Sequence, residues 1–328
     1  MRLIRKLVIS AALSLAASQS FAAEKVIFQL GWVPGGDNGV EYLAKTSDIF
    51  AAEGLDVTIV SGNGSADTLT KVAAGSADLG LVGMESLMSA YAETKPPVKA
   101  VFGIYNKKPD SLEVPAGSPI ATFADLAGRK VAIGSYSSSN VVWPLVAKLN
   151  GLDPASVNML KVDAAALAPM LASGQVDAIL NWVTVAPLDA AVMKEAGKEL
   201  VVIPWSKFGY EGYGQSIVAG ESVLKDRPEV VKAFLRAYAK AAKLAIADPA
   251  VAGEAVHKAV PSVDPVVATA EFSASIPLIS NEFSDKHGIG ALEPGLLATT
   301  WEWVAKSQSL DPNAVDPMSV VDTSFLPK

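Results

Sequence analysis

Short apolar runs of strand length alternate with segments of helical periodicity along the N-terminal part of the chain. From Val26 the order is strand, turn, helix, strand, helix, strand, and about a hundred residues later the same order returns. The predicted strands cover 26–30, 55–60 and 78–82, then 130–133, 157–162 and 178–181; the predicted helices cover 40–52 and 65–74, then 141–149 and 164–171. Strands that alternate with helices indicate parallel βαβ units, so two such units predict two α/β lobes.

Short sequence motifs support this internal repeat. The matching pairs are Leu43-Ala44-Lys45 with Val146-Ala147-Lys148, Gly54-Leu55-Asp56 with Gly151-Leu152-Asp153, and Gly75-Ser76-Ala77-Asp78 with Gly174-Gln175-Val176-Asp177. Each match is short, but the three keep the same order and nearly the same spacing. The predicted elements around them also agree, so we interpret the chain as a duplicated α/β unit.

The remaining elements place the lobe boundaries. Further strands are predicted over 98–105, 112–114 and 216–219, and helices over 228–246, 251–259, 266–273 and 292–307. In the simplest arrangement the chain leaves lobe one near Val114, builds lobe two and returns near Gln215. Lobe one then comprises residues 23–114 and 216–328, and lobe two residues 115–215. Two crossings form a hinge, and a hinged pair of lobes encloses a cleft.

The N-terminus has the features of a secretory signal peptide. Arg2, Arg5 and Lys6 form a positive region, and the apolar stretch 7–17 that follows is too short to span a bilayer. Ser20-Phe21-Ala22 supplies small residues at the two positions that a signal peptidase reads. We therefore expect residues 1–22 to be removed and the protein to be periplasmic; a membrane anchor is the less favoured alternative.

Composition excludes several classes of protein. Hydrophobic residues make up 50% of the chain and charged residues 19%, which is typical of a folded protein. The net charge of −7 has the wrong sign for nucleic-acid binding. The chain has no cysteine and two histidines, and it contains neither His-Glu-x-x-His nor Gly-x-Ser-x-Gly. We therefore expect no catalytic residues, no cofactor and no metal site.

Four segments resemble those of a known family. They are Gly31-Trp32-Val33-Pro34, Gly54-Leu55-Asp56-Val57, residues 74–80 and residues 125–132. They are similar to the periplasmic solute-binding proteins of the nitrate/sulfonate/taurine and thiamine-pyrimidine-precursor group. The resemblance implies an α/β, two-lobed periplasmic-binding-protein fold of type II, with a mostly parallel sheet in each lobe. It also implies a receptor, which we expect to be a monomer, that presents a small molecule to an inner-membrane ABC permease.

Ligands of open α/β sheets bind beyond the carboxyl ends of the strands. Here those ends are the loops 31–39, 61–64, 83–86, 134–140 and 181–184. Trp32 and Trp182 follow what we interpret as corresponding strands of the two lobes, where they would hold a flat ligand between them. The alternative is that each tryptophan simply packs at the end of its strand.

Polar residues of the same loops complete the predicted site. The serine-rich segment 134–140 opens a helix and could hold a polar group through backbone N–H and hydroxyl groups, although it could also be an ordinary helix cap. The segment 208–214, which precedes the predicted second crossing, contains aromatic residues and one acidic residue. Besides the two tryptophans, the predicted ligand-binding residues are Asn38, Gly62, Asn63, Glu85, Ser135, Tyr136, Ser137, Ser138, Asn181, Tyr210 and Glu211.

The distribution of charge suggests the class of ligand. Beyond the signal peptide the only arginines are Arg129, Arg227 and Arg236, and the five loops contain neither arginine nor lysine. Asp37, Glu85 and Glu211 lie on or near the predicted cleft. We therefore expect a neutral or cationic heteroaromatic ligand similar to a thiamine pyrimidine precursor. The alternatives are a small organic anion such as an alkanesulfonate, taurine or nitrate, an enzyme of the pyrimidine-synthase type, and a receptor for a separate sensor.

Overall fold

Two five-stranded sheets, each flanked by helices, organise the chain. A computed structural model describes residues 23–327, and the predicted signal peptide, residues 1–22, lies outside them. The strands are β1 Glu24–Gln29, β2 Leu55–Val60, β3 Leu79–Gly83, β4 Val98–Gly103, β5 Asp110–Pro115, β6 Lys130–Gly134, β7 Asn158–Val162, β8 Ala178–Trp182, β9 Leu200–Pro204 and β10 Gln215–Gly220. The helices are α1 Gly39–Thr46, α2 Ile49–Ala52, α3 Ser65–Ala73, α4 Met84–Glu93, α5 Ser139–Leu149, α6 Leu167–Ala172, α7 Ala186–Glu195, α8 Glu221–Asp226, α9 Pro228–Ala247, α10 Pro249–Ala259, α11 Pro265–Ile279, α12 Glu282–His287 and α13 Pro294–Gln308.

The two sheets have the same topology. The first has the strand order β2-β1-β3-β10-β4 and the second the order β7-β6-β8-β5-β9. In each sheet four strands run in the same direction, and the fourth strand of the order is antiparallel to both of its neighbours. That antiparallel strand, β10 or β5, is the first one after the chain crosses from the other sheet. The fold is therefore the two-lobed α/β fold with two mixed sheets.

The first crossing lies earlier in the chain than we expected. We assigned 112–114 to lobe one, but β5 pairs with β8 and β9 in the second sheet. The chain therefore crosses between Gly103 and Asp110, and it crosses back between Pro204 and Gln215. The cause of the error is that a short strand directly after β4 is expected beside it, whereas the intervening segment carries the chain to the other sheet.

The third pair of repeated motifs, residues 75–78 and 174–177, has the same structural role in both lobes. Asp78 accepts a hydrogen bond from the backbone N–H of Ile27 in β1 (2.7 Å), and Asp177 accepts one from that of Lys130 in β6 (2.8 Å). The glycines that precede them, Gly75 and Gly174, have φ values of +71° and +74°, which favour glycine after a helix. Each motif ends a helix, and its aspartate fixes the chain that follows to the second strand of the sheet, β1 or β6.

Some helices differ from the predicted ones. The helix predicted over 40–52 is divided into α1 and α2, because Asp48 takes a left-handed conformation (φ +56°) that aspartate tolerates. Helices α4 and α7 were not predicted. Helix α4 buries residues on every side, so it lacks the two-faced pattern of a surface helix. Within residues 23–327, no helix combines the length and the apolar character needed to cross a bilayer.

The C-terminal helices connect the two lobes. Helices α9 and α10 pack with α1 in a core that belongs to the first sheet. Helix α13 packs against α4 of the first lobe and α5 of the second, and Trp301 and Val304 on it share one apolar cluster with residues of both sheets. The C-terminal segment therefore supports the lobe–lobe arrangement as well as the first lobe.

Asp177 offers a direct test of the motif's role. Replacing Asp177 with alanine removes the acceptor for the Lys130 N–H group, and we expect the free energy of unfolding to fall by about 1–2 kcal/mol. Urea denaturation measures the change. Asp56→Ala, on an exposed strand position where the side chain makes no hydrogen bond within the described residues, is the matched control and should change stability by less than about 0.5 kcal/mol. Equal losses in both variants would contradict this role.

Candidate functional site

A small polar and aromatic cavity lies between the two sheets, at the carboxyl ends of their strands. Its free volume is about 20 Å³, enough for about one water molecule, so a larger ligand requires the lobes to move apart. Both lobes contribute to the wall, and Gln215 at the start of β10 belongs to it. The lining residues are Gly31, Trp32, Asp37, Ser65, Ser137, Ser138, Asn181, Trp182, Val185 and Gln215.

The two tryptophans of the cavity each pack against the core of the opposite lobe. Trp32 follows β1 of the first sheet, yet it packs on the apolar cluster of the second lobe, and its ring lies over Gly134. A methyl group on Gly134 would lie 2.4 Å from Trp32 Cη2, so only glycine allows this approach. Trp182 ends β8 of the second sheet and packs edge-on against Tyr105 beside the first core, with ring centroids 6.1 Å apart.

The tryptophans do not follow corresponding strands, contrary to our expectation. The sheet orders pair β1 with β6 and β3 with β8. Trp32 therefore follows β1, and Trp182 ends β8, which is the counterpart of β3 and not of β1. They reach the same cavity because the lobes face each other, and not because the repeat relates the two residues.

Three polar side chains of the wall are available to a ligand. Asp37 is buried beside the cavity. Asn181 donates a hydrogen bond from Nδ2 to Asp189 Oδ2 (2.6 Å), which leaves its Oδ1 available to a ligand. The buried side chain of Gln215 makes no hydrogen bond within residues 23–327. Acceptors and amide donors thus surround the indole rings, an arrangement that suits a flat ligand with polar edges.

Ser137 and Ser138 reach the cavity from the predicted serine-rich segment, at the start of α5. The Ser138 hydroxyl is buried and makes no hydrogen bond within the described chain. Its Oγ lies close to Gly83, where a methyl group would be 2.5 Å away. Ser65 Oγ, at the start of α3, accepts a hydrogen bond from the Gly83 N–H group (2.9 Å). Together these hydroxyls form the second polar side of the wall.

Four other predicted site residues connect the lobes or support the loops instead of lining the cavity. Asn63 Oδ1 accepts from the Ala164 N–H group (3.3 Å), and the Tyr136 carbonyl accepts from the Ala66 N–H group (3.2 Å), so both residues bridge the lobes directly. The Tyr136 side chain is 47% exposed. Gly62 packs on the backbone of Leu30, and the Ser135 hydroxyl donates to the Val162 carbonyl.

Glu85 and Tyr210 are held in a buried ionic network away from the lining. Lys108 Nζ and the Tyr210 hydroxyl (2.7 Å) both donate to Glu85 Oε1, and the lysine lies over the tyrosine ring. Lys108 and Glu85 are almost completely buried. Sequence reasoning missed Lys108 because it lies on neither a strand end nor a helix. Glu211 lies on the surface, and Asn38 is fully buried behind Asp37.

The lobe interface is rich in buried carboxyl groups. Burial raises the pKa of Asp37 to about 7, that of Glu271 to about 9 and that of Asp189 to about 6. It also raises the pKa of Asp110 to about 7, with a further contribution from the nearby Glu85. Of the described residues that line the cavity, none is lysine, arginine or histidine. The cavity therefore favours a ligand that donates hydrogen bonds or carries positive charge.

Five residues line the cavity but were not among the predicted ligand-binding residues: Gly31, Asp37, Ser65, Val185 and Gln215. Asp37 was noted only for its charge near the cleft, although it stands in the loop after β1. Gln215 begins β10, the strand that returns from the crossing, so its place at the cavity depends on the pairing of β10 with β3. Ser65 and Val185 lie one residue beyond the strand-end loops that we defined. Slightly wider loops would have included both.

Comparison with known proteins identifies one family and several relatives. A protein-family model described as NMT1/THI5 like matches residues 38–252. The formylaminopyrimidine-binding protein of Halalkalibacterium halodurans is 25% identical over 264 residues, which are 80% of this chain and 76% of that protein. The riboflavin-binding protein RibY of Chloroflexus aurantiacus is 23% identical, covering 93% of this chain and 86% of the relative.

A yeast enzyme and two solved structures complete the comparison. The 4-amino-5-hydroxymethyl-2-methylpyrimidine phosphate synthase THI13 of Saccharomyces cerevisiae is 24% identical, covering 70% of this chain and 69% of the enzyme. The alkanesulfonate-binding protein SsuA of Xanthomonas axonopodis pv. citri superposes with a TM-score of 0.71 at 19% identity, covering 92% of this chain and 98% of that one. The periplasmic aliphatic sulphonate-binding protein SsuA of Escherichia coli also gives 0.71 at 19% identity, covering 93% and 94%. The structural likeness shows a periplasmic-binding-protein fold.

The buried carboxyls predict how stability depends on pH. A raised pKa means that the folded state holds these protons more tightly than the unfolded state, so stability falls as pH rises from the ordinary carboxyl pKa through about 6 to 9. We expect the thermal unfolding midpoint to fall by about 5 °C between about pH 5 and pH 8. Glu271→Gln should reduce the fall, whereas Glu302→Gln, at an exposed site on α13, should not. A midpoint that rises over this range would contradict the assignment.

Proposed function

We propose that this chain, which belongs to the NMT1/THI5-like family, is a periplasmic receptor that captures a small flat heteroaromatic compound for an ABC importer. The observation that carries the proposal is the cavity between the lobes, where Trp32 and Trp182 lie in one wall with the carboxyl group of Asp37. Aromatic faces suit a flat ring, and acceptors suit the N–H groups at its edge. The predicted signal peptide and the fold support the periplasmic location.

The relatives support a ligand of this chemistry. Two of them are named for binding formylaminopyrimidine and riboflavin, which are nitrogen heterocycles. Among the described residues of the cavity wall there is no arginine for bidentate capture of a sulfonate, and the carboxylate of Asp37 would repel an anion. We therefore infer a compound similar to a thiamine pyrimidine precursor, and an alkanesulfonate, taurine or nitrate is the alternative ligand.

The residues of this chain are better suited to a receptor than to an enzyme. The yeast relatives are synthases, so the family includes catalysis. In this chain the His257 ring nitrogen contacts the Val263 carbonyl, and His287 contacts Glu293; neither residue lines the cavity. The chain has no cysteine to act as a nucleophile. We therefore infer that the bound compound is released unchanged to an inner-membrane permease.

Domain movement follows from the same geometry. We infer that the protein works as a monomer whose two lobes, one built on each sheet, hinge at the crossings 104–109 and 205–214. Opening separates Trp32 from Gly134 and breaks the contacts of Asn63 and Tyr136 with the opposite lobe. A ligand between the tryptophans would then restore the closed arrangement.

A ligand panel tests the class of solute. The purified protein is screened by thermal shift with 4-amino-5-hydroxymethyl-2-methylpyrimidine, riboflavin, taurine, an alkanesulfonate and nitrate. We expect stabilisation by at least one heterocycle, because binding to the folded state alone raises the unfolding midpoint. Stabilisation by the anions alone would overturn the ligand class, and the serine-rich start of α5 would then carry the binding. Conversion of a bound heterocycle would contradict the receptor role.

The tryptophans provide the second test. Trp32→Ala and Trp182→Ala each remove an aromatic face worth about 1–3 kcal/mol, so we expect the dissociation constant for the heterocycle found in the panel to rise about 5- to 150-fold. Isothermal titration measures the change, and circular dichroism checks the fold. Trp303→Ala, on α13 and outside the cavity, is the matched control and should bind normally. Unchanged affinity in a folded Trp182→Ala protein would exclude the proposed contact.

A further inference from the structure

Asp37 belongs to a group of buried polar residues, and the site described above uses Asp37 alone among them. We name it the acidic chamber and define it by Asp37, Asn38, Glu41 and Glu271. All four side chains are at least nine-tenths buried. Asp37 also lines the ligand cavity, so the chamber adjoins that cavity.

The carboxyls of Asp37 and Glu271 face each other across one glycine. The Gly36 N–H group donates to Glu271 Oε2 at 2.6 Å, which brings α11 against the loop that follows β1. A methyl group on Gly35 would lie 3.1 Å from Asp37 Oδ1 and 3.1 Å from Glu271 Oε2. Glu41 follows one helical turn after Asp37 and has the Tyr238 hydroxyl beside it.

Several polar atoms of the chamber lack a partner. Within residues 23–327, Asn38 Nδ2, Asn38 Oδ1, Glu41 Oε2 and Glu271 Oε1 are buried and make no hydrogen bond. Buried polar groups are normally paired, because an unpaired one loses its hydration without compensation. Three of these four atoms are acceptors. When the carboxyls are ionised, the group that completes the chamber must therefore mainly donate hydrogen bonds.

The surroundings of the chamber provide no positive charge. Tyr42, Tyr105, Tyr238 and, from α7, Asp189 face the three carboxyls. The face of α10 toward α1 carries Ala252, Gly253 and Val256, which do not titrate. No basic side chain of the described part of the chain forms an ion pair with Asp37, Glu41 or Glu271.

We propose that the acidic chamber binds a positively charged arm, an ammonium or amidinium group, of the solute whose ring lies between the tryptophans. This inference rests on the proposed function and narrows its ligand class. The arm would pass Asp37 and donate hydrogen bonds to Glu271 Oε1, Glu41 Oε2 and Asn38 Oδ1, the acceptors that lack partners. Charge-assisted hydrogen bonds of this kind are the stronger ones.

Binding of a cation should release protons from the chamber. Burial raises the pKa of Asp37 to about 7, of Glu41 to about 8 and of Glu271 to about 9, so at neutral pH part of the chamber is protonated. A cation favours the ionised carboxyls and displaces these protons. Affinity for a cationic ligand should therefore increase with pH up to about pH 8, provided that the ligand itself stays charged.

Two probes with the same ring test the proposal. They are 4-amino-5-aminomethyl-2-methylpyrimidine, whose side arm is an ammonium, and 4-amino-5-hydroxymethyl-2-methylpyrimidine, whose arm is neutral. Isothermal titration of the full protein is done at about pH 6 and pH 7.5, in two buffers of different ionisation enthalpy. At the higher pH we expect the aminomethyl probe to bind at least about tenfold more tightly than the hydroxymethyl probe. Its binding should release protons, whereas binding of the hydroxymethyl probe should release few.

Variants of the chamber show whether it causes the preference for the aminomethyl probe over the hydroxymethyl probe. Glu271→Gln and Glu41→Gln keep the shape of the side chain and should reduce the preference for the aminomethyl probe to about threefold or less, with affinity for the hydroxymethyl probe retained. Glu302→Gln removes the same charge at an exposed position on α13 and should keep the full preference. Circular dichroism and the unfolding midpoint confirm that each variant is folded.

The outcomes separate this inference from the proposed function. Equal affinity for the two probes, or a preference that survives both chamber substitutions, would overturn the chamber as a cation site while the heteroaromatic receptor stands. Loss of the preference in Glu302→Gln as well would assign it to net charge and overturn the chamber. If no heterocycle binds, the proposed function fails, and this inference fails with it.

Discussion

Burial of carboxyl groups between two lobes, with a single lysine among them, is the constraint on which the rest of the structure depends. Lys108 is the one basic side chain among the buried residues of 23–327. It pairs with Glu85 at the start of α4, where the first crossing passes the first lobe, and Tyr210 of the second crossing donates to the same oxygen. Loss of one partner of such a pair leaves an uncompensated buried charge. The network thus ties both crossings to one lobe. Of the other buried carboxyls, Asp37 lines the cavity, and no basic residue is among the described residues of that lining.

The parts of the fold that follow from local chemistry could be predicted from the sequence. Gly75 and Gly174 end helices by adopting positive φ, and Asp78 and Asp177 then cap a strand; both effects act within a short segment or against the adjacent strand. These glycine and aspartate positions occur once in each lobe, so the duplicated βαβ unit and the strand ends were recognisable. The strand ends in turn placed Trp32, Trp182 and the start of α5 at one edge, because parallel strands share their carboxyl ends.

The parts that depend on distant pairing could not be predicted in the same way. Strand β5 directly follows β4 but belongs to the other sheet, a choice decided by its partners β8 and β9. Glu271 joins the loop after β1 from a helix far along the chain, and its pattern of neighbours resembles any buried helix. Glu85 was predicted as a ligand contact from its place at a strand end, and Tyr210 from its place before the second crossing; neither place reveals that Lys108 and Tyr210 both bind Glu85. Asn63 and Tyr136 likewise face the opposite lobe and not the cavity wall.

The sheet orders also determine the sequence in which the fold can be completed. The second sheet uses strands β5 to β9, one continuous stretch from Asp110 to Pro204. The first sheet has β10 between β3 and β4, so β4 has no strand partner in it until Gln215–Gly220 arrives. A chain that emerges from its N-terminus, whether from the ribosome or from a translocation pore, therefore receives all strands of its second lobe before the last strand of its first. The first lobe must therefore remain incomplete until the second lobe has all of its strands, so the two lobes cannot be finished in the order in which they begin.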